Sequence, residues 1–166
     1  MGKFDNWIDV YLGHTYPEDD PYDGPKGADV VVYSADTDDL LLLTRGKNPF
    51  RGFLVVPGGG VQPGETFLEA AVRELQEETG LVAAPSSLCV IRDYRYDDFD
   101  PRGNLWARRF LYVVEDHPAV TAGDDAADHR WVDVDDLRAH DLAIDQAVGI
   151  RDALLLCDRI SSEPTL

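Results

Sequence analysis

The chain has 166 residues and a formal net charge of −17, from 15 Lys+Arg against 32 Asp+Glu. That length suits one domain with a hydrophobic core, and 44% apolar residues exclude a disordered chain. No run of about 20 apolar residues is present to span a membrane, and the acidity excludes nucleic-acid binding through the general surface.

In chain order, residues 1–27 read as an irregular N-terminal extension, with Pro17, Pro21, Pro25, Gly24 and Gly27 among scattered aromatics. Ile8–Leu12 within it has the composition of a short strand. A single domain is expected over residues 28–166. Val30–Tyr33 and Leu40–Thr44 are apolar runs flanking Ala35-Asp36-Thr37-Asp38, the pattern of a hairpin of buried strands. Phe53–Val56 reads as another strand, stopped by Pro57 and three glycines. A helix is predicted from Thr66, an N-cap with Glu69 completing a capping box, to Gly80 as terminator. Two or more strands are expected between Cys89 and Val114 around a polar turn at Asp97–Asn104. Val120–His129 reads as an acidic loop, Arg130–Val134 as a strand and Asp135–His140 as a helical turn. Ile144–Ile160 has the periodicity of a last amphipathic helix. The economical architecture is one α/β domain with a mixed sheet.

The charge is unevenly spread. Residues 1–44 sum to −8, residues 110–166 to −9, and residues 45–109 to zero. Of the 32 acidic residues only 8 are Glu, and five of these fall between Glu65 and Glu78. On a helix, Glu74, Glu77 and Glu78 share one arc of about 100°. Leu68, Val72 and Leu75 form a separate stripe able to face the core. Like charges at these spacings weaken a helix by about 0.2–0.5 kcal/mol per pair. A hard divalent cation such as Mg²⁺ reverses that sign, because it binds carboxylates together with substrate phosphates. The alternative is a solvated acidic face with Arg73 in a surface ion pair. The glycines Gly58-Gly59-Gly60 just before the helix favour the cation site, since they let main chain approach a metal or phosphate closely.

From Gly59 the spacing is Gly, five residues, Glu65, seven residues, then Arg73-Glu74-Leu75-Gln76-Glu77-Glu78-Thr79-Gly80-Leu81. This resembles the Nudix box at all nine specified positions across 23 residues. The resemblance implies a Nudix-type α/β/α sandwich with a mixed sheet, and Mg²⁺- or Mn²⁺-dependent hydrolysis of a nucleoside diphosphate linked to another group. It implies Glu74, Glu77 and Glu78 as metal ligands with the Gly59 carbonyl. Arg73 would orient the carboxylates, Glu65 would support the loop, and a glutamate of the motif would serve as base. One or two divalent ions would turn the neutral segment 45–109 into +2 or +4, attractive to phosphate.

Flanking segments are similar to the ADP-ribose pyrophosphatase-like Nudix group. They include Leu43-Thr44-Arg45-Gly46, Asn48-Pro49-Phe50, Asp100-Pro101-Arg102-Gly103, Arg130-Trp131-Val132 and Leu142-Ala143-Ile144-Asp145-Gln146. Leu54, Gln62 and Asp145-Gln146 depart from that group's habits. The favoured substrate is therefore ADP-ribose, split to AMP and ribose 5-phosphate. The alternatives are cleavage of a nucleoside triphosphate or a dinucleoside polyphosphate, toward which Tyr96 hints, or a non-catalytic ADP-ribose sensor. The intact box and the acidic C-terminal segment count against the sensor.

Arg45 and Arg102 are candidate phosphate contacts, balanced against an ion pair and a structural turn respectively. Asp124, Asp125 and Asp128 are weaker candidates for a further ligand. Trp131 reads as core, and Trp7, Tyr11 and Tyr16 as a docked N-terminal segment. His14, His117, His129 and His140 lack metal spacing. The expected partner is a small nucleotide, with no nucleic acid and no membrane, and a homodimer is left open. Cys89 and Cys157 are too few for a disulfide scaffold and, with no signal-like N-terminus, fit a cytoplasmic protein.

Overall fold

The computed structural model describes residues 14–96, 105–121, 123, 126–143 and 146–162. Among the described residues seven strands form one mixed sheet: β1 (Lys26–Ser34), β2 (Asp39–Arg45), β3 (Leu54–Val55), β4 (Gly58–Gly60), β5 (Leu88–Tyr96), β6 (Leu105–Val114) and β7 (Ala126–Asp133). Of the described residues, α1 (Phe67–Thr79) and α2 (Gln146–Ser162) flank it as α-helices, completing an α/β/α sandwich.

β1 is the centre. It runs parallel to β6 over its whole length, Lys26 opposite Trp106 through to Ser34 opposite Val114. Its other edge is divided between two antiparallel partners. β4 takes the first part, with Gly27, Ala28 and Asp29 opposite Gly60, Gly59 and Gly58, and β2 takes the last, with Tyr33 opposite Leu40. β2 continues away to pair with β3 and β7, and β5 closes the far edge against β6. This division of one strand edge brings the glycine strand and the end of β2 around a common opening.

Alternation along the strands sorts the core into two layers. Ala28, Val30 and Val32 join Phe67, Ala70, Ala71, Leu75, Trp106 and Phe110 beneath α1. Val31, Leu40, Leu42, Ile91 and Leu111 join Ile150, Ala153 and Cys157 beneath α2. The expected hairpin and both helices are present, and Thr66 and Glu69 make the reciprocal capping box. Gly80 ends α1 at φ 74°.

Several expectations are corrected. The Gly58–Gly60 run does not merely stop a strand; it is one, because β1 offers a free edge that needs no side chains to pair with. The strand expected from Arg130 begins at Ala126, inside the segment read as an acidic loop. Ala and Asp have poor strand propensity, but pairing with β2 overrides it. The expected stripe of Leu68, Val72 and Leu75 does face the core, Leu75 buried and the other two half-buried against it, but the buried face extends further to Phe67, Ala70 and Ala71. Glu74 and Glu78 lean toward β4. β1 begins at Lys26, two residues inside the stretch read as irregular. The turn expected at Asp135–His140 resolves into 3₁₀ turns at Val134–Asp136 and Ala139–Asp141. Trp131 packs against the core layer beneath α1 as expected, though half-buried, and His117 stacks on it. Ile8–Leu12, Trp7, Tyr11 and Asp97–Asn104 lie outside the described residues. Tyr16 is docked as expected: its N–H donates to Asp93 at 2.6 Å and its carbonyl accepts from Arg108 at 2.7 Å.

Candidate functional site

Helix α1 presents its carboxylates to the glycine strand through one arginine. Arg73 Nε donates to Glu65 Oε1 at 2.7 Å, and Nη2 donates to Glu65 Oε2 at 3.0 Å and to the Gly60 carbonyl at 2.8 Å. Its Nη1 donates to Glu74 Oε1 at 2.7 Å and Glu77 Oε2 at 3.1 Å. One guanidinium fork therefore ties the loop before the helix, two carboxylates of the helix and strand β4 together. The bond from Arg73 holds the Glu65 carboxyl below the usual carboxylate value, and Glu65 in turn pushes the guanidinium above its own. Glu65 also receives the Gln62 N–H, so it braces the loop between β4 and α1.

The glycines have a specific use here. Gly58 N–H donates to Glu78 Oε2 at 2.9 Å. A Cβ on Gly59 would lie 2.4–2.6 Å from the Glu74 carboxylate. No other residue type lets a main chain lie this close to that carboxylate. At the other end of α1 the loop near Thr121 straps the helix, with Thr121 N–H on the Thr79 carbonyl and Gly123 N–H on the Glu78 carbonyl.

Glu74 and Glu78 open into a cavity of about 370 Å³. Its other walls include Asp29 of β1, Gly58–Gly60 of β4, Arg45 at the end of β2, Lys47 just after it, Phe50, and Gln146 of α2. Glu77 is on the rim, its side chain 57% exposed. The available donors are hard oxygens, carboxylate and carbonyl, the set that Mg²⁺ and Mn²⁺ favour. The cradle of Gly59 against Glu74 fits an ion held between main chain and helix. Among the described residues no three Asp, Glu, His or Cys side chains are already gathered on one point. Arg73 holds Glu74 and Glu77 while Gly58 holds Glu78, so gathering them on an ion requires their side chains to turn from these partners.

Of the other candidates, Arg45 lines the cavity and its Nε bonds the Pro49 carbonyl, not the Asp partner that was the competing expectation. Arg102, Asp124 and Asp125 lie outside the described residues. Asp128 is exposed on β7 and accepts its neighbour's N–H. His117 bonds Asp39 and Thr37 and stacks on Trp131, which gives it a structural place. Sequence reasoning missed two cavity-side contributors. Gln146, noted there only as a departure from the related group, accepts the Val56 N–H at 2.9 Å and so fixes the chain just before β4. Asp29 receives Arg109 Nη2 at 2.8 Å beneath the cavity. The signal for Asp29 and its partner Arg109 was a charge inside a largely apolar strand, where it is rarely buried without a partner, whereas Gln146 carried no such signal.

The family model for the NUDIX domain matches residues 24–153. The chain belongs to the Nudix family. Among its relatives, an ADP-ribose pyrophosphatase of Methanocaldococcus jannaschii is 41% identical over 113 residues, which are 68% of this chain and 64% of that protein. The human 8-oxo-dGDP phosphatase NUDT18 is 33% identical over 85 residues, 51% of this chain and 24% of that protein. The matches thus span less than two thirds of either Nudix relative. The crystal structure of a bifunctional NMN adenylyltransferase/ADP ribose pyrophosphatase from Francisella tularensis, complexed with AMP and Mn, superposes with a TM-score of 0.73 at 25% identity. That match covers 82% of this chain and 43% of that one. The Nudix fold expected from the box is therefore the fold observed.

Proposed function

We propose that the protein hydrolyses the diphosphate of a nucleoside diphosphate derivative with Mg²⁺ or Mn²⁺, and that its substrate is ADP-ribose, giving AMP and ribose 5-phosphate. The observation that carries this reading is the meeting of the glycine strand with Glu74 and Glu78 inside a cavity of about 370 Å³. That volume lies in the range of small-ligand sites. The substrate choice draws support from the 41%-identical ADP-ribose pyrophosphatase.

Bound divalent ions would neutralise the diphosphate and acidify a water that attacks phosphorus. Glu74, Glu77, Glu78 and the Gly59 carbonyl would hold them. Arg73 keeps Glu74 and Glu77 oriented and, through Gly60, fixes the helix to the strand that carries Gly59. Gly58 N–H keeps the Glu78 carboxylate directed at the same strand. A glutamate of the motif takes the proton from the attacking water. Arg45, on the cavity wall, contacts a phosphate, and Arg102 is assigned the same task from its motif alone. The two cysteines, unpaired in the structure, suit a cytoplasmic protein acting on small nucleotides.

The test is a product-resolved assay of purified protein on ADP-ribose, nucleoside di- and triphosphates and dinucleoside polyphosphates. AMP and ribose 5-phosphate from ADP-ribose, abolished by EDTA, are expected. Exclusive consumption of another class would reassign the substrate, and EDTA-resistant turnover would refute the ion mechanism.

A further inference from the structure

Beneath the cavity lies a second arginine that the box does not include. Arg109, in the middle of β6, is completely buried. Its Nη2 and Nε donate to Asp29 Oδ2 at 2.8 and 3.3 Å. Asp29 stands opposite Gly58 in the β1–β4 pairing, and its side chain, 19% exposed, lines the cavity. Its other oxygen, Oδ1, lies 2.3 Å from where a Cβ on Gly58 would begin. Gly58 is therefore pinched between two carboxylates, Asp29 on one side and Glu78, which takes its N–H, on the other.

The remainder of the fold accommodates this arginine. Its guanidinium lies 4.9 Å from the Tyr94 ring centroid, and the Tyr94 hydroxyl donates to Asp152 of α2 at 2.6 Å. Gly149 of α2 gives it room: a Cβ there would fall 1.6 Å from Nη1. A buried ion pair is a poor way to gain stability, because desolvation offsets the attraction. Its use is to fix geometry.

We propose that Arg109 is a positioning residue of this site, acting through Asp29 to set Gly58 and hence the approach of β4 to Glu74 and Glu78. The inference rests on the diphosphatase reading above. Arg108, the next residue, supplies the comparison. It faces the opposite layer, pairs with Asp93 at 2.7 Å and holds Tyr16 and Glu18, away from the cavity.

Asp29→Asn keeps the shape and removes the charge that anchors Arg109. Mn²⁺ affinity of the substrate-free protein, read by electron paramagnetic resonance, is expected to fall about tenfold, as for loss of a residue that orients ligands. With ADP-ribose, kcat is expected to fall about 10- to 100-fold with KM little changed. Arg108→Met is expected to lower the melting temperature while kcat and Mn²⁺ affinity stay within about twofold of wild type. Should Asp29→Asn fail to fold, Arg109→Lys, which keeps the charge and loses the fork, carries the same expectations. Wild-type kcat and Mn²⁺ affinity in Asp29→Asn would overturn the inference alone. So would an equal loss in Arg108→Met, which would mark the effect as general destabilisation. A wild-type protein that neither binds Mn²⁺ nor cleaves ADP-ribose would overturn this inference and the functional reading together.

Discussion

The cavity has a rim and a floor, and an arginine organises each. On the rim, Arg73 reaches carboxylates one, four and eight residues away, on its own helix and the loop before it. On the floor, Arg109 reaches Asp29 across 80 residues of sequence and is screened from solvent by Tyr94 and α2. The rim grades from 14% exposed at Glu65 and Glu74 to 57% at Glu77, so Glu77 has the most room to turn toward a ligand. On the floor Arg109 is 1% exposed and packed in place, and Asp29 is the partner that reaches the cavity. The rim arginine thus works at the edge of solvent on neighbours in sequence, and the floor arginine works inside the core on a partner from another strand.

The largest effect that could break this division is on activity at the rim. Glu78→Gln and Glu77→Gln are each expected to lower turnover of ADP-ribose by roughly three orders of magnitude. Circular dichroism and melting should remain close to wild type, because neither carboxylate is in the packed core. Near-normal turnover in both would remove the carboxylates from the chemistry. The floor should answer in stability first. Gly149→Ala drives a methyl into Arg109 and is expected to cost about 1–3 kcal/mol in urea unfolding. An unchanged midpoint would mean that the guanidinium is free to move.

The smallest effect is the pH response of the Arg73–Glu65 pair. Glu65 has a lowered pKa in the folded protein, so the pair's contribution is fully present above the ordinary glutamate value of about 4.3 and fades as pH falls through the lowered one. Both side chains are partly exposed, which limits the contribution to about 1 kcal/mol. The urea-midpoint gap between wild type and Glu65→Gln should therefore be small at pH 7 and close further in acid. A gap that widens in acid would contradict the pairing.

The same contrast explains what the sequence reveals. The rim is legible because a helix converts spacing into position: Thr66 and Glu69 cap it, Gly80 ends it, and Glu74, Glu77 and Glu78 must share a face. The hairpin of Val30–Tyr33 with Leu40–Thr44 is legible for the same local reason. Even there, the full buried face of α1 is not, since Ala70 and Ala71 are enclosed by packing against residues of β1 and β6 that lie far away in sequence. The floor is not legible. Asp29, Arg109, Gly149 and Gln146 come from β1, β6 and α2, and nothing local says that they meet. β4 and the start of β7 were hidden because Gly, Ala and Asp become strand by pairing with β1 and β2, not by propensity.

Titration of the substrate-free protein with Mn²⁺, followed by electron paramagnetic resonance, tests the account most directly. Wild type should bind the ion, and a Glu74→Gln/Glu77→Gln/Glu78→Gln variant that still folds should lose that binding. Equal Mn²⁺ affinity in the two proteins would contradict the placement of the ion between helix α1 and the glycine strand.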